Sequence, residues 1–276
     1  MALLGSLFQQ TWLLQGAATG TELSVWLMDA LAAWTGHWRL PLPTAINGAF
    51  ALLALIVLLL PSLPFPRRLL PLLLLPWLCQ RPQPLPDGEW LLVAFDVGQG
   101  LALAVRTREH LLIYDTGPSW PGDSMARRIV VPWLARQGLT PDRIIISHGD
   151  NDHAGGADAL AGMAPVLSGE SSRLPGSRPC HAGQQWQWDG VAFSLLWPRR
   201  GVRPGNESSC VLHVAGADRS LLIPGDIGKQ SEYRLLGELP PTDLLVVPHH
   251  GSNSSTSAAL LRQLRPAYAL VSAGYR

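Results

Sequence analysis

The stretch IISHGDNDHAGG, residues 145–156, places two imidazoles and two carboxylates within six positions, directly after an apolar run. These groups belong to His148, Asp150, Asp152 and His153. Side chains of this kind repel one another and lose hydration on burial unless a positive charge lies among them. A divalent metal ion supplies that charge most directly. The stretch therefore predicts a metal site at the carboxyl end of a buried strand.

Composition changes along the 276 residues and divides the chain in two. The apolar content of 47% is ample for a packed core. Residues 1–86 contain the long apolar runs and only two acids, Glu22 and Asp29, whereas residues 87–276 have the mixture of a globular domain. We expect a membrane-associated region over 1–86 and a globular domain over 87–276. The net charge of +1 includes no basic stripe of the kind that marks nucleic-acid binding.

Two apolar segments predict membrane helices, one over 44–60 in TAINGAFALLALIVLLL and a shorter one over 67–79 in RRLLPLLLLPWLC. A buried helical hairpin in a soluble core is the alternative. Upstream, LSVWLMDALAAWTG has the spacing of an amphipathic helix. Arg67 and Arg68 lie between the two segments, and cytoplasmic loops collect such charges. This pattern favours an extracytoplasmic globular domain, although Arg81 on the far flank weakens it.

The three cysteines lie far apart at Cys79, Cys180 and Cys210, without the C-x-x-C spacing of a zinc ribbon or a redox pair. A disulfide between Cys180 and Cys210 would suit an oxidising compartment, but the sequence does not decide the pairing.

The globular part begins with three short apolar runs, WLLVAFDV, LALAVRT and HLLIYDTG, which predict an antiparallel meander. Further on, strand-like runs alternate with helical spacing, as in SMARRIVVPWLARQG. Strands first and helices interleaved later predict an α/β sandwich with mixed sheets.

Three of the predicted strands end in metal-ligand residue types. IIIS leads into His148, LLIPG into Asp226, and LLVVP into His249 and His250. Taken alone, Asp226 is more often a turn former and a histidine pair is more often solvated. Loops at one sheet edge, however, can gather distant side chains into one pocket. Imidazole and carboxylate without thiolate suit zinc, manganese or iron, and a bridging carboxylate suits two ions about 3.5 to 4 Å apart.

SHGDNDHAGG resembles the His-x-His-x-Asp-His signature of the metallo-β-lactamase superfamily, with Asp150 in place of the second His. FDVGQG, YDTG, NESSCVL, IPGDI and PHHGSNSS, in this order, are similar to the ComEC family of DNA-internalisation competence proteins. The resemblance covers about residues 89–276. It implies a metallo-β-lactamase-like αββα sandwich preceded by transmembrane helices in the plasma membrane, with the C-terminal domain on the extracytoplasmic side. Family domains continue past VSAGY, so the domain over 87–276 is expected to be truncated at its C-terminus.

The resemblance also implies a set of site residues. Its six metal ligands would be His148, Asp150, Asp152, His153, Asp226 and His250. His148 and Asp150 would hold the first of two divalent ions, zinc or manganese, Asp152 and His153 would hold the second, and Asp226 would bridge them. Asp152 and His249 would be catalytic, with His249 contacting substrate phosphate or protonating the leaving group, although the roles of His249 and His250 could be exchanged. The usual third His of the first site falls near 206–209, where there is none, and His213 is expected in the next strand, which leaves that site underliganded.

Further residues are expected around the pocket edge: Asp96, Gln99, Asp115, Asn206, Ser209 and Ser252. Of these, Asp115 is expected to support the ligand loop through hydrogen bonds, and Asp96 and Gln99 could equally serve only to form a turn.

The implied reaction is metal-dependent phosphodiester hydrolysis, with DNA as substrate, during natural transformation. The implied partners are DNA, the membrane, and other channel subunits or a second copy of the chain. Two alternatives stay open from the sequence: a hydrolase of small phosphodiesters, and a non-catalytic structural module of a transport channel.

Overall fold

The computed structural model describes residues 19–24, 26–27, 45–59, 84–171 and 174–274. The chain divides into two compact units, residues 1–83 and 84–276.

In the first unit, helix α1 covers Ala45–Leu59, where the first membrane helix was expected over 44–60. Its 15 residues rise about 22 Å at 1.5 Å per residue, less than the roughly 30 Å of a bilayer's hydrocarbon core. Within the described ranges, no helix combines the length and the apolar character needed to cross a membrane. The membrane span expected over 44–60 stays a prediction. The second expected span, 67–79, and most of the upstream amphipathic helix lie outside the described residues.

The second unit contains two six-stranded mixed sheets. The first has the order β1-β2-β3-β6-β7-β8, formed by Leu91–Ala94, Leu103–Arg106, Leu111–Tyr114, Arg143–Ile146, Val166–Ser168 and Arg178–Pro179. Strands β1 to β3 form the expected antiparallel meander, and β3, β6, β7 and β8 are parallel. A separate two-stranded ribbon pairs β4, Ser119–Trp120, with β5, Asp123–Ser124.

The second sheet has the order β14-β13-β12-β11-β10-β9. Its strands, from β9 to β14, are Gln185–Trp188, Val191–Trp197, Val211–Ala215, Ser220–Ile223, Leu244–Val246 and Tyr268–Leu270. Strands β9 to β12 are antiparallel, and β12, β13 and β14 are parallel. Parallel pairing at β12 and β13 matters for function because it points the carboxyl ends of both strands to one edge.

Four short helices complete the unit: α2 Val131–Gln137, α3 Asn151–Ala154, α4 Lys229–Leu235 and α5 Ala258–Leu264. A π-helical turn, Ala126–Val130, leads into α2, which ends at Gly138 in a left-handed conformation. The side chain of Ser257 accepts a hydrogen bond from Leu260 N and caps α5.

Alternation along the strands sends side chains into different cores. In β3, Leu112 and Tyr114 join the core between the two sheets, whereas Leu111 and Ile113 face a second core that contains residues of α2. A third core joins the outer face of the second sheet to α4 and α5. Strands that are buried on both faces have continuous apolar runs, as in LLIY of β3 and in III, residues 144–146, of β6. The layers are helix, sheet, sheet and helix, which is the expected αββα sandwich with mixed sheets.

Candidate metal centre

Loops from three strand ends meet at one edge of the sandwich. The loop after β6 provides His148, the one-turn helix α3 that follows provides His153, the loop after β12 provides Asp226, and the turn after β13 provides His250. Nε2 of His153 lies 3.2 Å from Oδ1 of Asp226 and 3.1 Å from Nε2 of His250. Residues that are about 70 to 100 positions apart in the chain are thus brought into direct contact, as the strand-end pattern predicts.

The potential ligand atoms form two overlapping groups. His148, His153 and Asp226 make the first, in which all three residues are buried. Asp152, His153 and His250 make the second, which is partly open to solvent. Within each group the ligand atoms lie within 4.8 Å of one another, and His153 belongs to both. Two ions side by side, or one ion between the groups, would fit this arrangement.

Hydrogen bonds determine which nitrogen of His148 faces the site. The hydroxyl of Ser147 donates its proton to Oδ2 of Asp115 at 2.8 Å, so it accepts from Nδ1 of His148 at 3.0 Å. Nε2 of His148 therefore carries a lone pair. Among the described residues this buried atom has no hydrogen-bond partner. Burial also lowers the pKa of His148, which favours the neutral form that a metal ligand requires.

Hydrogen bonds also determine which nitrogens of His153 and His250 face the site. Nδ1 of His153 donates to Oδ2 of Asp115 at 2.8 Å, and Nδ1 of His250 donates to Ser272 O at 2.6 Å. Both Nε2 atoms then point inwards, 3.1 Å apart. Two lone pairs at this distance repel unless a proton or a cation lies nearby. Imidazole nitrogens fixed by a carboxylate or carbonyl on their other side are the usual ligands of divalent transition metals, so the residues fit such an ion.

The pKa values of the cluster also indicate that its carboxylates need positive charge nearby. Burial lowers the pKa of His153, but the negative charge and hydrogen bond of Asp115, together with Asp226, outweigh burial and raise it to about 10. The hydrogen bond from His250 is the largest influence on Asp152 and lowers its pKa to about 2. Burial raises the pKa of Asp226, yet His153 and His250 lower it overall. Without a metal, protons on the imidazoles balance the carboxylates, and a cation could replace them.

The glycines of HAGG pack the ligand loop closely against its surroundings. A Cβ on Gly155 would lie 2.3 Å from Asn151 O, and one on Gly156 would lie 2.5 Å from the Cβ of Ala126. Both distances are too short for real contacts. Only glycine lets the segment after α3 pack this closely, at position 155 against Asn151 and at position 156 against the π-helical turn before α2.

Comparison with known proteins agrees with this geometry. Residues 95–275 match the family described as the metallo-beta-lactamase superfamily. The chain belongs to this superfamily. Its fold accounts for both mixed sheets and for the site at their shared edge.

Three relatives confirm the resemblance to the ComEC family of competence proteins. The Escherichia coli protein YcaI is 39% identical over 207 residues, which cover 73% of this chain and 27% of YcaI. Competence protein ComA of Neisseria gonorrhoeae is 36% identical over 288 residues, covering all of this chain and 40% of ComA. Recombination protein 2 of Haemophilus influenzae is 40% identical over 200 residues, covering 69% of this chain and 25% of that protein. The chain thus spans less than half the length of each.

The residues expected at the metal centre differ in burial and in their distance from the cluster. Asp150 is half exposed, with Oδ2 3.5 Å from Nε2 of His148, and belongs to neither group. His249 has its side chain 32% exposed, and its Nε2 lies 3.7 Å from Oδ2 of Asp226. His250, rather than His249, lies among the ligand atoms of the second group. His213 lies within β11 and belongs to neither group.

The turn that carries both histidines has an unusual backbone. His249, His250 and Gly251 all have positive φ angles, of 51°, 53° and 81°. Left-handed conformations are costly for residues with a Cβ and are found at functional sites. The turn is held by a hydrogen bond from His249 N to Gly225 O at 3.1 Å. It directs one imidazole into the cluster and the other to its edge.

An open cavity of about 740 Å³ adjoins the cluster. Gln99 and Ser252, two of the expected edge residues, line it together with Asp152, His249 and His250. A second cavity, of about 300 Å³, is lined by residues of several loops: Asn206, Glu207, Asp226, Gly228, Lys229, Gln230, His249 and Ser254.

The other expected edge residues lie elsewhere. Oδ1 of Asp96 accepts from Gly98 N at 3.3 Å, so Asp96 forms a turn and lines a neighbouring cavity. Asp115 is fully buried beneath the ligand loop, where it accepts from Ser147 N, the Ser147 hydroxyl and His153. Ser209 is also buried, and its hydroxyl accepts from Asp226 N at 3.0 Å. Asp115 and Ser209 therefore position ligands from below.

A disulfide joins Cys180 to Cys210, with Cα atoms 6.1 Å apart. Cys210 N donates to Ser147 O at 3.1 Å, and the buried Tyr114 hydroxyl donates to Cys210 O at 2.6 Å. The bond therefore ties the segment after β8 to the floor of the metal centre, close to Ser209.

Two groups that contribute to the site were not predicted from the sequence. The Ser272 carbonyl orients His250, and a backbone acceptor leaves no signal in a sequence. Lys229 lines the smaller cavity. It is the only lysine in the chain, and this feature of the sequence could have singled it out.

Proposed function

We propose that the globular domain is a metal-dependent phosphodiester hydrolase that cleaves DNA at the extracytoplasmic face of a DNA-uptake channel. The observation that carries the proposal is the buried, unpartnered Nε2 of His148 beside Asp226 and the facing nitrogens of His153 and His250. We propose zinc or manganese as the metal, because the donors are imidazoles and carboxylates without thiolate. We propose two ions, because the potential ligand atoms form two groups and Asp226 lies where it could bridge them. When bound, such ions lower the pKa of a coordinated water and stabilise the negative charge that develops on a phosphate.

His249 is suited to proton transfer. Its ring is partly exposed at the wall shared by both cavities. Nε2 lies 3.3 Å from Nδ2 of Asn206, and Nδ1 lies 3.2 Å from the hydroxyl of Ser254. Asn206 donates to Nε2, which therefore accepts in the structure as it stands, and the carboxylate of Asp226 lies 3.7 Å from the same atom. His249 would donate a proton to a leaving oxygen from its imidazolium form, with Nε2 turned from Asn206 to the substrate. Asp152, at the mouth of the cluster, would help to orient the attacking water.

Three observations favour DNA and an extracytoplasmic position. The larger cavity is open, and the amides of Gln99 and Asn253 line it beside the metal-centre residues, which leaves room for an extended chain. The relatives include a competence protein and a recombination protein. The Cys180–Cys210 disulfide suits an oxidising compartment. We further propose that the whole protein is anchored in the plasma membrane and works with other channel subunits or with its own copies.

The test uses the full chain with Asp226→Ala and the matched control Asp218→Ala. Asp218 is an exposed carboxylate in the turn between β11 and β12, at the opposite end of β12 from the site. Elemental mass spectrometry would measure bound zinc and manganese, and hydrolysis would be followed with a single-stranded oligonucleotide and with bis(p-nitrophenyl) phosphate. We expect wild type and control to bind metal and to cleave, and Asp226→Ala to lose most of both. Equal metal content in all three, or no cleavage by the metal-loaded wild type, would overturn the proposal.

A further inference from the structure

The chain contains 21 lysine and arginine residues, and Lys229 is the only lysine among them. It is the first residue of α4, three positions after Asp226. It lines the 300 Å³ cavity with Asp226 and His249. Among the described residues, no arginine lines this cavity or the 740 Å³ cavity. These two cavities form the surface that would face the substrate. Lys229 is the lysine or arginine that lines this surface.

Two hydrogen bonds hold Lys229 in place. Its backbone N–H donates to Ser254 O at 2.9 Å, and its Nζ donates to Asn253 O at 2.7 Å. An ammonium has three N–H donors, so two remain available at this exposed position. Asn253 itself lines the larger cavity. The hydrogen bond therefore fixes the ammonium beside the 252–254 segment, whose residues line both cavities.

The carboxylates of the smaller cavity do not neutralise this charge. Glu207 accepts from Gly228 N and from the hydroxyl of Ser231. Asp226 contacts the imidazoles of the metal centre. In the part of the chain that the structure describes, no carboxylate forms an ion pair with Lys229. Arg128, by contrast, forms an ion pair with Asp123.

His249 is the residue shared by the linings of both cavities. A phosphodiester whose scissile phosphate contacts the metal centre would therefore extend past His249 towards Lys229. We propose that Lys229, assisted by the side-chain amides of Asn206 and Gln230, forms a second phosphate subsite for the phosphate next to the one that is cleaved. This inference rests on the proposed function and deepens it, because it selects a substrate with consecutive phosphates over an isolated phosphodiester.

The kinetic test compares Lys229→Gln, which removes the charge, with Lys229→Arg, which keeps it. Arg219→Gln, an exposed position between β11 and β12, is the matched control. With the metal-loaded full chain at low salt, we expect Lys229→Gln to lower kcat/KM for an oligonucleotide about tenfold, the effect of roughly one phosphate contact. Hydrolysis of bis(p-nitrophenyl) phosphate should not change, and Lys229→Arg should keep most of the oligonucleotide activity. Equal losses on both substrates would show that Lys229 only holds the 252–254 loop, and would overturn the subsite.

A binding test does not depend on catalysis. Fluorescence anisotropy of a labelled single strand, measured over a range of salt concentrations, should give a logarithmic slope reduced by about 0.7 in Lys229→Gln. Saturating oligonucleotide should also slow acetylation of Lys229, followed by intact mass and peptide mapping, with the terminal amine as internal reference. An unchanged slope together with unprotected acetylation would overturn the subsite. If the wild type binds in this way but cleaves neither substrate, the proposed hydrolase fails while the subsite stands.

Discussion

Replacing Asp115 by Asn isolates the effect of one buried carboxylate on the metal centre. Asp115 is fully buried and accepts three hydrogen bonds, from Ser147 N at 2.6 Å, the Ser147 hydroxyl at 2.8 Å and Nδ1 of His153 at 2.8 Å. Its φ of 58° is a conformation that Asn also adopts readily. The substitution therefore leaves shape and backbone nearly unchanged and alters only charge and hydrogen-bond polarity.

The expected magnitude follows from the tautomer of His153. In the variant, Oδ1 can still accept from Ser147 N, but an NH₂ group replaces Oδ2 and faces Nδ1 of His153. Because two N–H groups cannot face each other, the ring proton moves to Nε2, the atom that lies 3.1 Å from Nε2 of His250. The lone pair needed for ligation is then lost. Removing such an outer partner of a metal ligand typically costs 10- to 100-fold in affinity, or about 1.4 to 2.7 kcal/mol.

Zinc affinity would be measured by competition with a chromophoric chelator, and the His153 tautomer by ¹⁵N NMR of labelled imidazoles. Asp142→Asn is the control, because Asp142 also accepts from a backbone N–H on the same sheet, from Leu111 at 2.9 Å, but lies outside the cluster. We expect the control to bind zinc as the wild type does. Wild-type affinity in Asp115→Asn, with the proton still on Nδ1 of His153, would refute the reasoning.

Two further predictions concern stability. In the metal-free protein, the raised pKa of His153 contributes stability that is complete below the unfolded pKa of about 6.5 and is lost as pH rises through about 10. Urea denaturation with a chelator present should therefore show a free energy of unfolding that declines from pH 6 to pH 10, less so in Asp115→Asn; equal declines would contradict this. Replacing Cys180 and Cys210 by Ser opens a link across 30 residues and should lower the free energy of unfolding by about 3.5 kcal/mol under non-reducing conditions. Equal urea midpoints would exclude the link as a stabilising element.

Much of the fold follows from local patterns. The run III, residues 144–146, is apolar on both faces because β6 is buried between the inter-sheet core and the core that includes α2, and this continuity marks a central strand. His148 lies after that strand, as the sequence predicts. Helix α3 ends at Ala154, because the glycines that follow it, Gly155 and Gly156, serve close packing rather than helix continuity.

The finer parts of the site depend on contacts between distant residues. No local pattern specifies that Asp115 and Ser147 orient His148 and His153, because these contacts arise only once β3 and β6 pair. The exposure of Asp150 likewise depends on the path of its loop. Asp96 follows a strand as convincingly as Asp226 does, yet it only closes a turn. Residue type and strand position therefore predict the metal centre as a whole but do not rank its members.

The left-handed turn at His249, His250 and Gly251 places two competing demands on one short segment. Each histidine gives up roughly 1 kcal/mol or more of backbone energy, which a glycine at that position would recover. A glycine there would also remove an imidazole from the site. Selection for a sturdier fold and selection for chemistry act in opposite directions on this turn. In a library screened only for thermal resistance, these two positions are where activity would disappear first.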